Sequence, residues 1–178
     1  GRIVAEGSPA ELIREHASRE VVEVRFGSDR NEAVAADRLN IDVYAQQFNW
    51  TYGYPDAGIE TGTLVLPVNR QAQLNVRARD VIHDFWVPQF GVKGDAVPGI
   101  THVISITPQR RGTYPVVCAE LCGSGHNAMR VDACVVSRGV YTWWMGELAD
   151  GNKVPCQRLR YLTCSDRSDY TKLDAVIT

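Results

Sequence analysis

Two thiols, an imidazole and a thioether lie within the short stretch from Cys118 to Met129. They belong to Cys118, Cys122, His126 and Met129, and His83 supplies a second imidazole upstream. All are soft or borderline ligands, and copper is the ion that favours such a mixture. A single blue-copper ion uses only one thiolate with two imidazoles. A pair of copper ions bridged by two thiolates, with one imidazole for each ion, therefore fits this set of residues better.

Two weak axial ligands complete this arrangement. The thioether of Met129 suits one ion, and a backbone carbonyl between the two cysteines, with Glu120 as the natural candidate, suits the other. An electron shared by two bridged ions changes each metal–ligand bond little. The predicted site is therefore suited to fast electron transfer rather than to hydrolysis.

Two simpler interpretations remain open. The spacing of Cys118, Cys122 and His126 is also compatible with a structural zinc site, although zinc rarely binds Met and usually uses more evenly paired spacings. A disulfide between Cys118 and Cys122 would close a very short, strained loop and would leave His126 and Met129 without a role. The residues favour a copper pair over zinc, and zinc over the disulfide.

Four stretches of the chain resemble the extramembrane copper domain of cytochrome c oxidase subunit II, the Cu(A) domain of haem–copper terminal oxidases. They are residues 46–55, 80–88, 93–99 and 118–129, and they follow one another in that family's order. The similarity extends over about residues 39–137. It implies a cupredoxin-like fold and a dinuclear copper centre.

The resemblance implies six copper ligands. They are His83, Cys118, Glu120 through its carbonyl, Cys122, His126 and Met129. It implies that His83 and Met129 share one ion and that Glu120 and His126 share the other. It also implies that the Glu120 carboxylate reaches a magnesium ion at the boundary with the catalytic subunit.

By the same resemblance, we expect an electron-entry subunit of a cytochrome-c oxidase on the extracytoplasmic face of the respiratory membrane. Its copper centre would accept electrons from cytochrome c or a similar donor. It would pass them to a haem in catalytic subunit I, within a proton-translocating complex of membrane subunits that reduces oxygen to water. The isolated domain would be an electron carrier only, because protein ligands would saturate its metals.

Two alternatives to the oxidase stay open. Nitrous oxide reductase carries a similar copper centre, but its copper loop usually has Trp where this chain has Glu120. A non-enzymatic copper-binding or copper-delivery cupredoxin is the other alternative. Such a protein would bind copper less rigidly and would lack a bridged pair of ions.

Aromatic and acidic residues near the predicted site are candidates for electron entry and donor docking. The family's entry tryptophan aligns with Phe48, and Trp50 is the next candidate. Complementary charge speeds the encounter with a basic c-type cytochrome. The candidate docking carboxylates are Asp56, Glu60, Asp80 and Asp84. By resemblance, Asp95 faces the catalytic subunit instead.

The elements that must position these residues are predicted to be β-strands. Apolar residues alternate with polar ones over Ile41–Ala45 and Leu74–Ala78. Short apolar runs bounded by Pro and Gly occur at Thr63–Val68, Val103–Thr107, Tyr114–Cys118 and Val131–Ser137. Many short strands with regular turn signals indicate an antiparallel sandwich or barrel. The predicted fold class is all-β, a cupredoxin-like Greek-key barrel or sandwich whose loops at one end carry the metals.

Three segments follow from this pattern. Residues 1–38 form an extension of unclear origin, with a short helix that begins at a capping box on Ser8 and a strand over Val22–Phe26. Residues 39–138 form the copper domain. Residues 139–178 form a C-terminal helix with apolar residues at helical spacing, followed by a polar tail.

Composition limits the remaining possibilities. The 178 residues are 44% hydrophobic and 22% charged with a net charge of −2, which is ordinary for a globular protein and gives no sign of nucleic-acid binding. No run of about 18 apolar residues occurs, so no transmembrane segment is predicted in this chain. Cys134, Cys156 and Cys164 lie outside the predicted site. Cys156 and Cys164 are candidates for a disulfide, since an exported domain sits in an oxidising space.

Overall fold

The computed structural model describes residues 37–163. Within them, ten β-strands are followed by two α-helices. The strands are β1 (Leu39–Gln46), β2 (Asn49–Tyr54), β3 (Ile59–Thr61), β4 (Leu64–Pro67), β5 (Ala72–Ala78), β6 (His83–Val87), β7 (Val92–Ala96), β8 (His102–Ile106), β9 (Gly112–Cys118) and β10 (Arg130–Val136). The helices are α1 (Arg138–Ala149) and α2 (Cys156–Thr163). The helix predicted from Ser8, the strand predicted over Val22–Phe26 and Cys164 lie outside the described residues.

The strands form two five-stranded sheets around one hydrophobic core. The first sheet has the order β3–β2–β1–β5–β8, and the second has the order β4–β10–β9–β6–β7. Strand β1 pairs in parallel with β5, and β10 pairs in parallel with β4, whereas the other pairs are antiparallel. The predicted all-β sandwich is therefore confirmed.

Alternation along β1 and β5 buries one face of the first sheet. Ile41, Val43, Leu74 and Val76 are completely buried, whereas the polar residues between them are partly exposed. The parallel register sets Ile41 beside Leu74 and Val43 beside Val76. Burial of one such side chain contributes about 1.5–3 kcal/mol. A one-residue shift of either strand would turn its two apolar residues to the outer face, so the apolar pattern fixes the register.

The second sheet carries the segments that hold the predicted site. Strands β6 and β9 are antiparallel neighbours, with Phe85 opposite Cys118. His83 begins β6, and Cys118 ends β9. The next strand of this sheet, β10, begins immediately after Met129. The loop of residues 119–129 therefore leaves and rejoins the sheet close to His83.

Tyr54, at the end of β2, closes the edge of the second sheet at β4. The Tyr54 hydroxyl donates a hydrogen bond to the Val65 carbonyl at 3.1 Å and accepts one from the Val65 N–H at 2.9 Å. The ring packs edge-on against Trp144 of α1, with the ring centroids 5.4 Å apart. Burial raises the pKa of Tyr54 well above its ordinary value, so the group stays a neutral phenol that can both donate and accept.

Helix α1 matches the predicted C-terminal helix. The Ser137 hydroxyl caps its first turn by accepting a hydrogen bond from the Val140 N–H at 3.3 Å. Trp144 is completely buried, and its indole N–H donates to the Val154 carbonyl at 3.0 Å. Trp144 therefore serves packing, and its polar atom is satisfied in the core.

Helix α2 follows where a polar tail is predicted, and a disulfide joins it to the second sheet. Cys156, the first residue of α2, is bonded to Cys134 in β10, with the Cα atoms 5.7 Å apart. The suggested pairing of Cys156 with Cys164 is therefore wrong. Helix α2 packs against β10, and sequence spacing alone does not reveal which cysteine such packing selects.

Neither helix within residues 37–163 is long and apolar enough to cross a bilayer. The longer one, α1, has 12 residues, whereas the hydrocarbon core of a membrane requires about 20.

Candidate metal centre

The six predicted ligands come together at one end of the second sheet. His83 projects from β6, Cys118 ends β9, and the other four lie in the loop between β9 and β10. The loop is closed at its base, because the Cys118 N–H donates to the Met129 carbonyl at 3.1 Å. A 3-10 turn at His126–Ala128 directs the chain back towards the thiols.

Cys118 is surrounded by three potential metal donors. Its Sγ lies 3.8 Å from Cys122 Sγ and 3.8 Å from His83 Nδ1. The Glu120 carbonyl oxygen accepts a hydrogen bond from the Cys118 thiol at 3.2 Å. A disulfide requires sulfur atoms about 2.05 Å apart. Cys118 and Cys122 are accordingly both free thiols, contrary to the disulfide alternative.

Cys122 has a matching set of neighbours on its other side. Its Sγ lies 3.6 Å from His126 Nδ1 and 3.9 Å from Met129 Sδ. Two imidazoles and two weak donors therefore lie around the pair of thiols. This is the number of further ligands that two ions bridged by two thiolates require.

The thiol pair is shielded from water. Cys118, Cys122, Met129 and His83 are all buried, and only His126 among the side-chain donors is half-buried. Burial, together with the hydrogen bond and charge of Cys118, raises the pKa of the Cys122 thiol to about 11. Without a metal, this thiol is therefore protonated at neutral pH. A bound cation must displace that proton, since the thiolate is the form that binds metal.

Asp80 fixes the orientation and the tautomer of His83. Its Oδ1 lies 2.8 Å from His83 Nε2, on the side of the ring away from the thiols. Burial acts to raise the pKa of Asp80, but hydrogen bonds from the Gln47 N–H, from His83 and from the Val81 N–H together lower it. The ionised carboxylate therefore holds the Nε2 proton and leaves the Nδ1 lone pair free for a metal.

The two predicted electron-entry residues differ in exposure. Trp50 is 0% exposed and packs edge-on against His83, with ring centroids 6.4 Å apart, and against Phe85 at 5.4 Å. Direct contact between Trp50 and a donor is therefore excluded, because strand alternation turns this residue into the core. Phe48 is 37% exposed and stays a prediction for the entry site.

Asp84 requires a correction. It is only 3% exposed, so it is not available for donor docking. Its carboxylate pairs with Lys93 Nζ at 3.0 Å and accepts a hydrogen bond from the Gly94 N–H at 3.1 Å. The neighbouring strand β7 covers Asp84 through these contacts, and the sequence gives no sign of which residues lie opposite β6. The Asp84 contact also raises the pKa of Lys93.

The other predicted docking carboxylates retain exposed surface. Asp56 and Glu60 are exposed, and Glu60 forms an ion pair with Arg79 at 3.2 Å. The Asp80 side chain is 26% exposed, although it is also bound to His83. A docking role stays a prediction for these three residues.

Sequence reasoning missed the turn between β1 and β2, which touches the loop. The Gln47 side chain donates a hydrogen bond to the Cys122 carbonyl. Phe48 packs against Gly125, where a Cβ atom would lie only 2.5 Å from the Phe48 ring. Gln47 and Cys122 are 75 positions apart, and no local pattern signals a contact at that distance along the chain.

The donor set fits copper. The ligand atoms of His83, Cys118 and Cys122 lie within 4.8 Å of one another and are suited to a metal ion. Thiolates and a thioether select soft metals over magnesium or calcium, and imidazoles suit copper equally well. A buried Met129 thioether beside a thiol argues for copper over zinc, whose usual ligands are Cys, His and carboxylates.

Comparison with known proteins identifies relatives of this chain. A family model described as cytochrome c oxidase subunit II, periplasmic domain, matches residues 58–137. The cytochrome c oxidase subunit 2 of Thermostichus vulcanus is 40% identical over 149 residues, which cover 82% of this chain and 45% of that protein. The cytochrome c oxidase subunit 2 of a Synechocystis species is 41% identical over 109 residues, which cover 61% of this chain and 32% of that protein. The chain thus spans less than half the length of these two relatives.

A solved structure shows the same relationship. The crystal structure of the periplasmic domain of cytochrome oxidase subunit II from Bradyrhizobium japonicum is similar, with a TM-score of 0.59 and 32% sequence identity. The match covers 64% of this chain and 94% of that domain. The shared architecture confirms the predicted cupredoxin-like fold.

Proposed function

This chain belongs to the cytochrome c oxidase subunit II family, and from this premise we propose that residues 39–138 form an electron-carrying Cu(A) domain. It receives electrons one at a time from a c-type cytochrome. It delivers them to a haem in the catalytic subunit of a membrane-bound oxidase, where oxygen is reduced to water. The matching family model describes a periplasmic domain, and we place the domain on the extracytoplasmic face of the respiratory membrane.

The arrangement of the two thiols carries this proposal. Their sulfur atoms are 3.8 Å apart, and each has a different imidazole nitrogen within 3.8 Å. A mononuclear copper site needs one thiolate for two imidazoles. Among copper sites, the second thiol and second imidazole therefore favour a pair of ions that share the two sulfurs over a single ion, and the Met129 thioether beside them favours copper over a Cys2His2 zinc ion.

The predicted ligands divide between two ions. In this proposal His83 and Met129 would hold one copper, the Glu120 carbonyl and His126 would hold the other, and Cys118 and Cys122 would serve both. When bound, the copper pair supplies a one-electron redox couple. Protein atoms would fill the ligand positions of both ions, so in this proposal the domain would carry electrons and would not activate oxygen itself.

Residues around the ligands orient them and exclude water from them. Asp80 keeps the proton on His83 Nε2, which leaves Nδ1 as the donor atom. The core excludes water from Cys118, Cys122 and Met129. A rigid, dry set of ligands changes little when charge arrives, and this lowers the cost of electron transfer.

Two surfaces near the site suit the expected partners. Phe48 is exposed and rests on the loop that carries Cys122 and His126, so we assign electron entry to this side. The Glu120 carboxylate is exposed at the site. In this proposal it binds a magnesium ion at the contact with the catalytic subunit, where carboxylate oxygen is a suitable ligand.

Copper reconstitution tests the proposal. Purified chain is loaded with copper, and the metal content, visible absorption and electron spin resonance are recorded. We expect two coppers per chain, a purple mixed-valence centre and hyperfine structure from two equivalent coppers. A blue single-copper spectrum, or colourless tight binding of zinc in preference to copper, would contradict it.

Two serine variants form a matched pair for the same measurement. Cys122→Ser should abolish the paired centre, because one bridging sulfur is lost. Cys164→Ser makes the same chemical change outside the predicted ligand set and should leave the spectrum intact. If both variants keep the wild-type spectrum, the ligand assignment is wrong.

A further inference from the structure

The two thiols of the site are held in different ways. The Cys118 backbone belongs to β9, its N–H donates to the Met129 carbonyl at 3.1 Å, and the next N–H, of Ala119, donates to the Asp84 carbonyl at 3.0 Å. Cys122 lies in no strand or helix. Within residues 37–163, the hydrogen bond to its carbonyl comes from one side chain, that of Gln47.

Gln47 also reaches the opposite side of the site. Its backbone N–H donates to Asp80 Oδ2 at 2.7 Å, and the other oxygen of Asp80 lies 2.8 Å from His83 Nε2. One residue thus connects the carbonyl of a thiol ligand with the carboxylate that orients an imidazole ligand. The connection runs from Cys122 through Gln47 and Asp80 to His83.

The neighbouring contacts show that this turn is closely fitted to the loop. A Cβ atom at Gly123 would lie 2.8 Å from Gln47 Nε2 and 3.1 Å from the Phe48 ring. At Gly125 a Cβ atom would lie 2.5 Å from the Phe48 ring. At Gly123 and Gly125 the loop has no side chain between its backbone and the turn. The amide of Gln47 can therefore approach Cys122 closely.

We propose that Gln47 is a positioning residue of the metal site, whose side-chain amide sets the place of Cys122 relative to Cys118 and His83. The proposal rests on the copper function above for its spectroscopic consequence. The effect of Gln47 on the position of Cys122 is expected in the metal-free chain as well. Loss of the amide donor leaves the Cys122 carbonyl without this anchor, so the thiol shifts and the spacing between the two sulfurs varies.

Gln46 supplies a matched control. It is the preceding residue, carries the same side chain and is exposed like Gln47, and no hydrogen bond joins its side chain to another residue in the described part of the chain. Gln46→Ala and Gln47→Ala therefore remove the same group from adjacent positions. Gln47→Glu keeps the size of the side chain but replaces the amide donor with an acceptor.

The first measurement uses the metal-free chain. Alkylation of Cys122 by iodoacetamide is followed by peptide mass spectrometry, together with thermal unfolding of each variant. We expect Gln47→Ala and Gln47→Glu to speed alkylation of Cys122 severalfold while the unfolding temperature stays close to that of Gln46→Ala. Equal alkylation rates in all variants would overturn the proposal.

The second measurement uses the copper-loaded chain. We expect Gln47→Ala and Gln47→Glu to lose copper to a chelator about tenfold faster than Gln46→Ala, in line with other residues that orient metal ligands. Their paired-copper hyperfine pattern should broaden. Identical spectra and copper loss in Gln47→Ala and Gln46→Ala would also overturn the proposal. If the wild-type chain itself forms no paired centre, the proposed function fails, and the alkylation rates still decide the role of Gln47.

Discussion

One half of the site is built on strands and the other half on a loop. His83 and Cys118 belong to the paired strands β6 and β9, so the hydrogen-bond ladder of the sheet sets their separation. Cys122 and His126 belong to a loop that is held by its own turn and by contacts from Gln47 and Phe48. The strand half is therefore defined by the fold, whereas the loop half depends on a few side-chain contacts.

This difference predicts where substitutions act. Changes that weaken the sheet framework should reduce global stability and leave the metal spectrum unchanged. Changes at the contact between loop and turn should alter the spectrum even where the fold persists. The following three experiments test this separation.

Removal of the disulfide should give the largest loss of stability. Cys134 and Cys156 are separated by 22 positions, and a cross-link that closes such a loop contributes about 3 kcal/mol. We expect the double variant Cys134→Ser, Cys156→Ser to lose about this much in denaturant unfolding. Copper stoichiometry and the electron spin resonance spectrum should match the wild type. A changed spectrum would show that the framework and the site are coupled.

Substitution of Gly125 should affect both properties. Its φ of −94° is allowed for alanine, so the cost of Gly125→Ala comes from the overlap of the new Cβ with the Phe48 ring. Overpacking of this kind costs about 1–3 kcal/mol. We expect a loss of this size in denaturant unfolding, and we also expect Cys122 and His126 to be displaced, with loss of the paired-copper spectrum.

Two further variants control the Gly125 experiment. A Cβ atom at Gly62 has no neighbour within 4 Å, so Gly62→Ala should change stability by no more than about 0.5 kcal/mol. Phe48→Ala introduced together with Gly125→Ala should restore the spectrum, because the overlapping ring is gone. A normal spectrum in Gly125→Ala alone would mean that the Phe48 ring moves to make room for the new Cβ atom without disturbing the loop.

Neutralisation of Asp80 should have the smallest effect, mainly on metal binding. Asp80→Asn retains one oxygen that accepts from His83 Nε2, but it removes the negative charge and the acceptor of the Gln47 N–H. We expect copper affinity to fall about tenfold, as for other carboxylates that orient a histidine ligand, with little change in the unfolding of the metal-free chain. Competition with a copper chelator measures the affinity. Asp56→Asn, an exposed carboxylate outside the site, should bind copper like the wild type, and a loss equal to that of Asp80→Asn would refute the orienting role.

The sequence predicts the parts of the molecule that depend on local pattern. The alternation over Ile41–Ala45 and Leu74–Ala78 gives β1 and β5 correctly, because one face of each strand is buried. The donor types at Cys118, Cys122 and Met129 indicate the metal site, because few other functions need two thiols and a thioether so close together. The structure brings these residues and the other three predicted ligands into contact range.

The remaining features depend on contacts between distant segments. The sequence predicts Asp84 to be an exposed carboxylate, yet Lys93 and the backbone of β7 cover it. Trp50 is buried because β2 turns that face inward. The partner of Cys156 depends on the packing of α2. None of these pairings has a signature in the residues that precede or follow it.

The two hydrogen bonds between the Tyr54 hydroxyl and the backbone of Val65 affect the tendency of this protein to self-associate. An edge strand with free N–H and C=O groups is a template on which another chain can add a strand, and such additions lead to aggregation. Both backbone groups of Val65 are already occupied by the Tyr54 hydroxyl. Pro67, which has no N–H to offer, ends the same strand, so the Tyr54 hydroxyl and this proline together leave few free backbone groups on β4 to which another chain could add a strand.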